Sequence, residues 1–324
     1  MTRKIETWRT QNAGRVMFAA ADQFVRDSLL PAHQNGYEMM TVVLLALMQN
    51  LDLEGTRLTT IAQRARMTKA SMMELVNKAQ ALDLVERRPD PDDKRAKIVS
   101  FTAQGLQLIE LMHKGVALAE RRLVAATSRH FVTAMKQQLR AYAAGGERPA
   151  STVADVLSTS KTTAWRVQNP GRVLLSATDR FVSGVLRPVH GSGFDVVTPV
   201  LLTLFRNLDR DGTRLTELAA RARMTKQAMA ELVEKAEAAG FVEKQPDPDD
   251  QRAKLIAFTV TGHEVLDRAR DGVMQAEQEL ASVVGTDFLT ELKEQLLAYV
   301  TASGATAKEQ PRLMSTAQSQ RLAS

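Results

Sequence analysis

No cysteine occurs in the 324 residues. Disulfides, thiolate metal sites and thiol-based redox sensing are thereby excluded, although the compartment is not fixed by that absence. Long apolar runs are also missing. The longest, such as TVVLLALM at 41–48, fall far short of the ~20 residues that a membrane-spanning helix needs. The first residues, MTRKIETWRT, lack the apolar centre of a signal peptide, so a cytoplasmic protein is the default expectation. No Ser/His/Asp arrangement, paired-carboxylate arrangement or Gly-rich phosphate loop stands out, which leaves an enzyme without a nucleophile or an acid/base pair. His113, His130 and His263 share no metal-ligand spacing. The PDPDD run at 89–93 lacks the Gly and Glu of a calcium loop. Neither cofactor nor metal is expected.

What is present is ordinary in bulk. Hydrophobic residues make up 44% and charged residues 25%, as in a soluble globular protein. The length suits two domains, each able to bury a core. A net charge of +6 and a pI near 9.6 permit an anionic partner such as DNA without requiring one.

The informative feature is a repeat at a constant offset of 157: Trp8 recurs as Trp165, Phe24 as Phe181, Pro31 as Pro188, His33 as His190, Tyr142 as Tyr299. Between Asn50 and Gly105, 35 of 56 positions match their partners. Two ungapped copies of this length mean two domains of one fold, since a solenoid needs more and shorter repeats. In the first copy the periodicity predicts a helix over 13–31 stopped by Pro31, and a loop at 33–36. It predicts an apolar helix over 38–51, a strand or turn at Leu58, and a helix over 60–66 capped by Thr59. Next comes a helix from Thr68 to about Leu82, buried through Met72, Leu75, Val76 and Ala79. A hairpin follows, with strands from Val85 and over Lys97–Phe101. Helices to about Ala126 and over Ser128–Ala143 close the domain. The second copy predicts helices 170–187, 195–208, 217–223, 225–239, 260–283 and 286–302 around a hairpin at 241–259. The domains then run 1–143 and 165–302. Residues 144–164 are a Gly/Pro/Ser-bearing linker, with a helical turn allowed at 154–157, and 303–324 form a polar tail expected to be disordered.

The centre of each copy is the stretch Ala65–Thr102, repeated as Ala222–Thr259. A short helix, a tight turn, a second helix and a charged-tip hairpin match a winged helix-turn-helix. Its second helix would enter the major groove, and its wing would carry an Arg into the narrow minor groove. Asp92 or Asp93 would orient Arg95. Either half of the pattern is common alone: helical hairpins abound, and a Pro-Asp tip is usually a solvated turn. The ordered combination, found twice, favours DNA.

The runs MTKASMMELV and LVERRPDPDDKRAKIVSFT, followed by Ala-Gln-Gly, resemble the MarR family of bacterial transcriptional regulators, as do their second copies and the long helices on either side. The resemblance implies a mainly α fold with small β-wings. Two winged helix-turn-helix domains would share one chain, their long terminal helices forming an intramolecular dimerisation region. It implies a repressor bound to a pseudo-palindromic operator in double-stranded DNA, nucleoid-associated in the cytoplasm, with Thr68, Lys69, Ser71, Lys94 and Arg95 at the DNA in one copy and Thr225, Lys226, Gln227 and Arg252 in the other. It further implies a small-molecule effector pocket lined by Met17, Tyr37 and Met40 and by Leu174, Phe194 and Val197, residues that core packing explains equally well. His33 and His190 read as capping or packing residues, with a ligand or pH-sensing role left open. Glu74 and Glu231 depart from the family, where an Arg is frequent, so a regulator that has lost DNA and holds a protein partner is the competing reading. Arg88 and Lys94 also become Gln245 and Gln251, so the two wings need not read alike. The linker's roughly 70 Å reach lets the two copies pair within one chain; a homodimer with four wings is the alternative.

Overall fold

The computed structural model describes residues 7–65, 67–90, 93, 97–145, 169–222, 224–248 and 253–304. The linker expected at 144–164, its helical turn, Trp165 and the tail after 304 lie wholly or almost wholly outside them. The first half runs α1 Thr7–Thr10, α2 Ala13–Gln34, α3 Val42–Asn50, β1 Thr56–Arg57, α4 Leu58–Arg64, α5 Lys69–Ala81, β2 Val85–Pro89, β3 Lys97–Phe101, α6 Ala103–Ala126 and α7 Arg129–Ala143. The second half repeats it as α8 Pro170–Gly191, α9 Pro199–Asn207, β4 Thr213–Arg214, α10 Leu215–Ala222, α11 Lys226–Ala238, β5 Val242–Pro246, β6 Lys254–Phe258, α12 Val260–Val284 and α13 Thr286–Gly304. Among the described residues no helix is long and apolar enough to cross a membrane.

Three local expectations are corrected. Pro31 does not stop its helix: α2 continues to Gln34, and α8 likewise passes Pro188. A proline here removes one donor only a turn before the end. The end is tied instead by Asn35 Nδ2 to the Pro31 carbonyl (2.8 Å) and the Tyr37 N–H to the Ala32 carbonyl (3.1 Å). His33 Nε2 meets the Met40 carbonyl at 2.9 Å, and His190 Nε2 meets that of Val197 at 2.8 Å. Both histidines thus fasten a helix end to the next turn. Second, α3 starts at Val42, not 38, because the Thr41 hydroxyl accepts the Leu44 N–H and the Met40 N–H turns back to the Tyr37 carbonyl; α9 starts after Thr198 in the same way. Third, α4 begins at Leu58 behind Arg57, which makes no side-chain cap, so Thr59 lies inside the helix.

Each wing is a three-stranded antiparallel sheet, ordered β1-β3-β2 and β4-β6-β5. Val85 faces Phe101 and Pro89 faces Lys97 across the β2–β3 hairpin. Val85, Val99 and Phe101 are buried on one face, joining Met72, Leu75 and Val76 in the first lobe's core.

The long helices of the two halves pack on one another, and their contacts are reciprocal. A Cβ on Gly14 would sit 2.3 Å from the Phe181 ring, and one on Gly171 would sit 2.6 Å from the Phe24 ring. Phe131 stacks on its own counterpart Phe288 at 6.2 Å, which puts the pseudo-two-fold axis between them. Arg9 donates to the Phe205 and Leu208 carbonyls, and Arg206 lies 5.4 Å over the Phe18 ring. Half-buried Trp8 packs on the same shared core. One apolar cluster therefore runs from Ala13 of the first half to Tyr299 of the second. The long helices of the two halves thus share one core within the chain.

The symmetry breaks at one buried polar site. Asp27 accepts from Tyr299 Oη (2.7 Å), Arg122 Nη1 (2.5 Å) and Gln23 Nε2 (3.1 Å). Its counterpart is Gly184, and Arg122 is replaced by Glu279. Among the described residues the matching Tyr142 hydroxyl meets no carboxylate and faces Arg180 instead. Burial pushes that phenol up to about 12, against the pull of Arg180, whose guanidinium lies 5.2 Å over the ring.

Candidate nucleic-acid interface

The interface is built on α5 and α11. In α5 the apolar spacing buries Met72, Leu75, Val76 and Ala79, which turns the first turn outward. Thr68, Lys69 and Ala70 are exposed and Ser71 is half-buried. Thr68 caps the helix by accepting the Ser71 N–H at 3.1 Å, and its own proton goes to Ser71 Oγ at 2.9 Å. Ser71 Oγ thus sits against the cap at the helix N-terminus. Thr225 caps α11 in the same way, accepting the Ala228 N–H at 3.1 Å, but the second hydroxyl is missing. Lys226 and Gln227 are exposed beside it. An exposed helix N-terminus with unpaired N–H groups and an adjacent Lys attracts phosphate. Glu74 and Glu231 are exposed on the same helices. Gln227 Nε2 lies 3.4 Å from Glu231 Oε1, a long bond that turns one carboxylate oxygen back along the helix.

Lys94, Arg95 and Arg252 at the wing tips lie outside the described residues, as does the expected Asp92–Arg95 pairing. The wing root is described, and it carries residues the sequence reading missed. Asp90, the first acid of PDPDD, is buried and accepts from Arg57 Nε at 2.5 Å; Asp247 does so from Arg214 Nε at 2.6 Å. These bonds tie the base of the tip loop to the sheet's third strand. The signal was available, since GTRLT and PDPDD recur intact in both copies. Arg64 to Asp52 (2.6 Å) and Arg221 to Asp209 (2.9 Å) brace the short helix against its preceding loop. In the first lobe Arg87 of β2 donates to Gln80 Oε1 (2.5 Å) and Asn77 Oδ1 (2.7 Å), locking wing to recognition helix.

A family model described as the MarR family matches residues 41–96 and again 197–253, spanning the α3–wing unit of each half. The winged helix-turn-helix unit of each half is thus of the MarR family. Solved structures similar to the chain each align over less than half of it. A transcriptional regulator from Thermotoga maritima is 20% identical over 43% of this chain and 96% of its own, with a TM-score of 0.32. A MarR-family transcriptional regulator from Streptomyces coelicolor, solved in complex with DNA, is 24% identical over 43% of this chain and 87% of its own, TM-score 0.34. A mutant MarR from E. coli is 22% identical over 40% of this chain and 95% of its own, TM-score 0.33. No curated protein matches the chain.

The residues that the resemblance places at an effector pocket lie in and beside the packed core. Met17, Met40, Leu174 and Val197 are fully buried in packed core, and Phe194 stacks edge-on against Phe241 at 6.1 Å. Tyr37 borders a shallow depression of about 270 Å³ shared with Asn35, Gln107, Glu110, Leu111 and Lys114. Among the described residues no group of three or more His, Cys, Asp or Glu is placed to hold a metal.

Proposed function

We propose that this tandem MarR-family chain is a sequence-specific DNA-binding transcriptional regulator acting as a repressor. The observation that carries the reading is the paired presentation of two capped, exposed helix N-termini, Thr68–Ser71 and Thr225–Ala228, each beside a wing fixed at its root by a buried aspartate. The two helices would take successive major grooves and the two wing arginines, Arg95 and Arg252, the flanking minor grooves. The halves act as an intramolecular pseudo-dimer, supported by the apolar core they share. Pairing inside one chain replaces a bimolecular association by one at high effective concentration. A small effector that shifted one lobe against the shared helices would release the DNA; Tyr37 at the edge of α2 is the proposed contact.

Band shift with DNA from the chain's own upstream region tests this. Binding should weaken linearly in log–log against salt, by roughly one unit of slope per phosphate neutralised. No binding at low salt sinks the proposal. It would favour the second reading, a partner-sequestering module, for which exposed Glu74 and Glu231 are the supporting observation. Sedimentation separates the two assemblies: a single 35.7 kDa species is expected, whereas a doubled mass means a four-winged homodimer.

A further inference from the structure

The two lobes share a backbone and a cap, but their groove-facing chemistry has diverged in one direction. On α5 the turns after the N-terminus carry Asn77 and Gln80; the same positions on α11 are Glu234 and Glu237. With Glu231 they place a carboxylate at every third residue along α11, exposed at Glu231 and Glu234 and half-buried at Glu237. Helix α5 holds two lysines against one glutamate, net +1, and α11 two lysines against three glutamates, net −1. From helix through wing the difference widens. Residues 69–101 hold seven Lys/Arg against six Asp/Glu, net +1, while 226–258 hold five against seven, net −2.

The hydrogen bonds follow the charges. In the first lobe Arg87 is held by two neutral amides, so its full positive charge remains at the helix–wing junction. In the second lobe the equivalent Lys244 is captured by Glu237. A cation neutralised within its own domain releases no counterions on meeting phosphate, and the uncompensated Glu231 and Glu234 repel it. The first lobe also keeps a hydroxyl at the helix N-terminus, Ser71, where the second has Ala228.

We infer that the lobes are unequal readers: the first specifies its half-site through Lys69, Ser71 and the Arg87–Asn77–Gln80 cluster, while the second follows onto adjacent DNA with little sequence demand. The operator is then non-palindromic, one defined half-site beside a tolerant one. This rests on the DNA-binding reading above and gives it a polarity that a symmetric MarR-like dimer lacks.

Selection of the full chain on random-sequence duplexes of about 30 base pairs, roughly three helical turns, tests it. One informative half-site is expected. In parallel, Lys69→Glu should cost about 30-fold in affinity for the selected duplex, the loss typical of one charge-assisted contact plus repulsion, and Lys226→Glu under ~3-fold. The double variant E234N/E237Q, which installs the first lobe's residues in the second, should raise affinity and make the second half-site matter. Two equally informative, inverted half-sites, or equal losses from the two lysine variants, would overturn the inference while leaving DNA binding intact. No enrichment of any duplex at low salt overturns both.

Discussion

Gly115→Ala should destabilise the chain by on the order of 3 kcal/mol, about 4–5 °C in Tm for a protein of this size. Helices α2 and α6 cross at Gly115, where an added Cβ would lie 1.8 Å from the Ser28 carbonyl oxygen and 2.8 Å from its carbon. No rotamer change relieves that clash, because the obstacle is helix backbone. The helices would have to separate, and Leu108, Ile109 and Met112 on one side and Leu29 and Ala32 on the other would lose packing together. The second half repeats the crossing, with Gly272 against the Val185 carbonyl at 2.3 Å, so Gly272→Ala should cost a similar amount. Gly191→Ala is the control. No atom lies within 4 Å of its Cβ position, and alanine there should change stability by less than ~0.5 kcal/mol. Differential scanning calorimetry of the three variants decides the matter; equal melting temperatures for Gly115→Ala and Gly191→Ala would show that the crossing is not close-packed.

These crossings also mark where sequence reading stops. Local chemistry was legible: Thr68 and Thr225 cap their helices, Met72, Leu75, Val76 and Ala79 point inward, and the wing strands pair as the alternation required. Such features depend on neighbours a few residues away. Pro31 misled because the rule against a proline inside a helix is weak in the final turn, where only one donor is lost and Asn35 and Tyr37 bind the carbonyls that remain. Gly115 carries no sequence signal of its own, since its partner is a carbonyl 87 positions earlier, at Ser28. The two helix starts at Lys69 and Lys226 were foreseen. Asp90 was read as part of a solvated tip, although it is buried, because its partner Arg57 lies 33 positions away and only the joint recurrence of GTRLT and PDPDD points to the pair. The copies themselves held a usable clue. Where one half has Asp27 and the other Gly184, the difference signals a site that the two-fold repeat cannot share.

That site gives the second large effect. Asp27→Ala should cost about 3 kcal/mol, even though one of its partners reaches solvent. The carboxylate is 2% exposed and serves three donors, drawn from its own helix, from α6 and from α13 of the other half. Its removal leaves the Tyr299 hydroxyl buried with nothing to receive its proton, and that orphan is the main loss. Arg122 is 40% exposed and can turn to water, so it contributes little to the penalty. Tyr299→Phe alone should therefore cost clearly less, about 1 kcal/mol, because the Arg122 and Gln23 bonds survive it. In the double variant, D27A/Y299F, no unpaired hydroxyl remains, and part of the loss should return. A double-mutant cycle by denaturant unfolding would show a coupling of 1–2 kcal/mol between two residues 272 positions apart. Additive losses would mean that the halves are held by apolar packing alone. Coupling at this strength makes Asp27 a one-sided latch. It joins α2 to α13, while the opposite seam, at Gly184 and Tyr142, has no equivalent bond. An inward or outward swing of the lobes should then start at the unlatched seam.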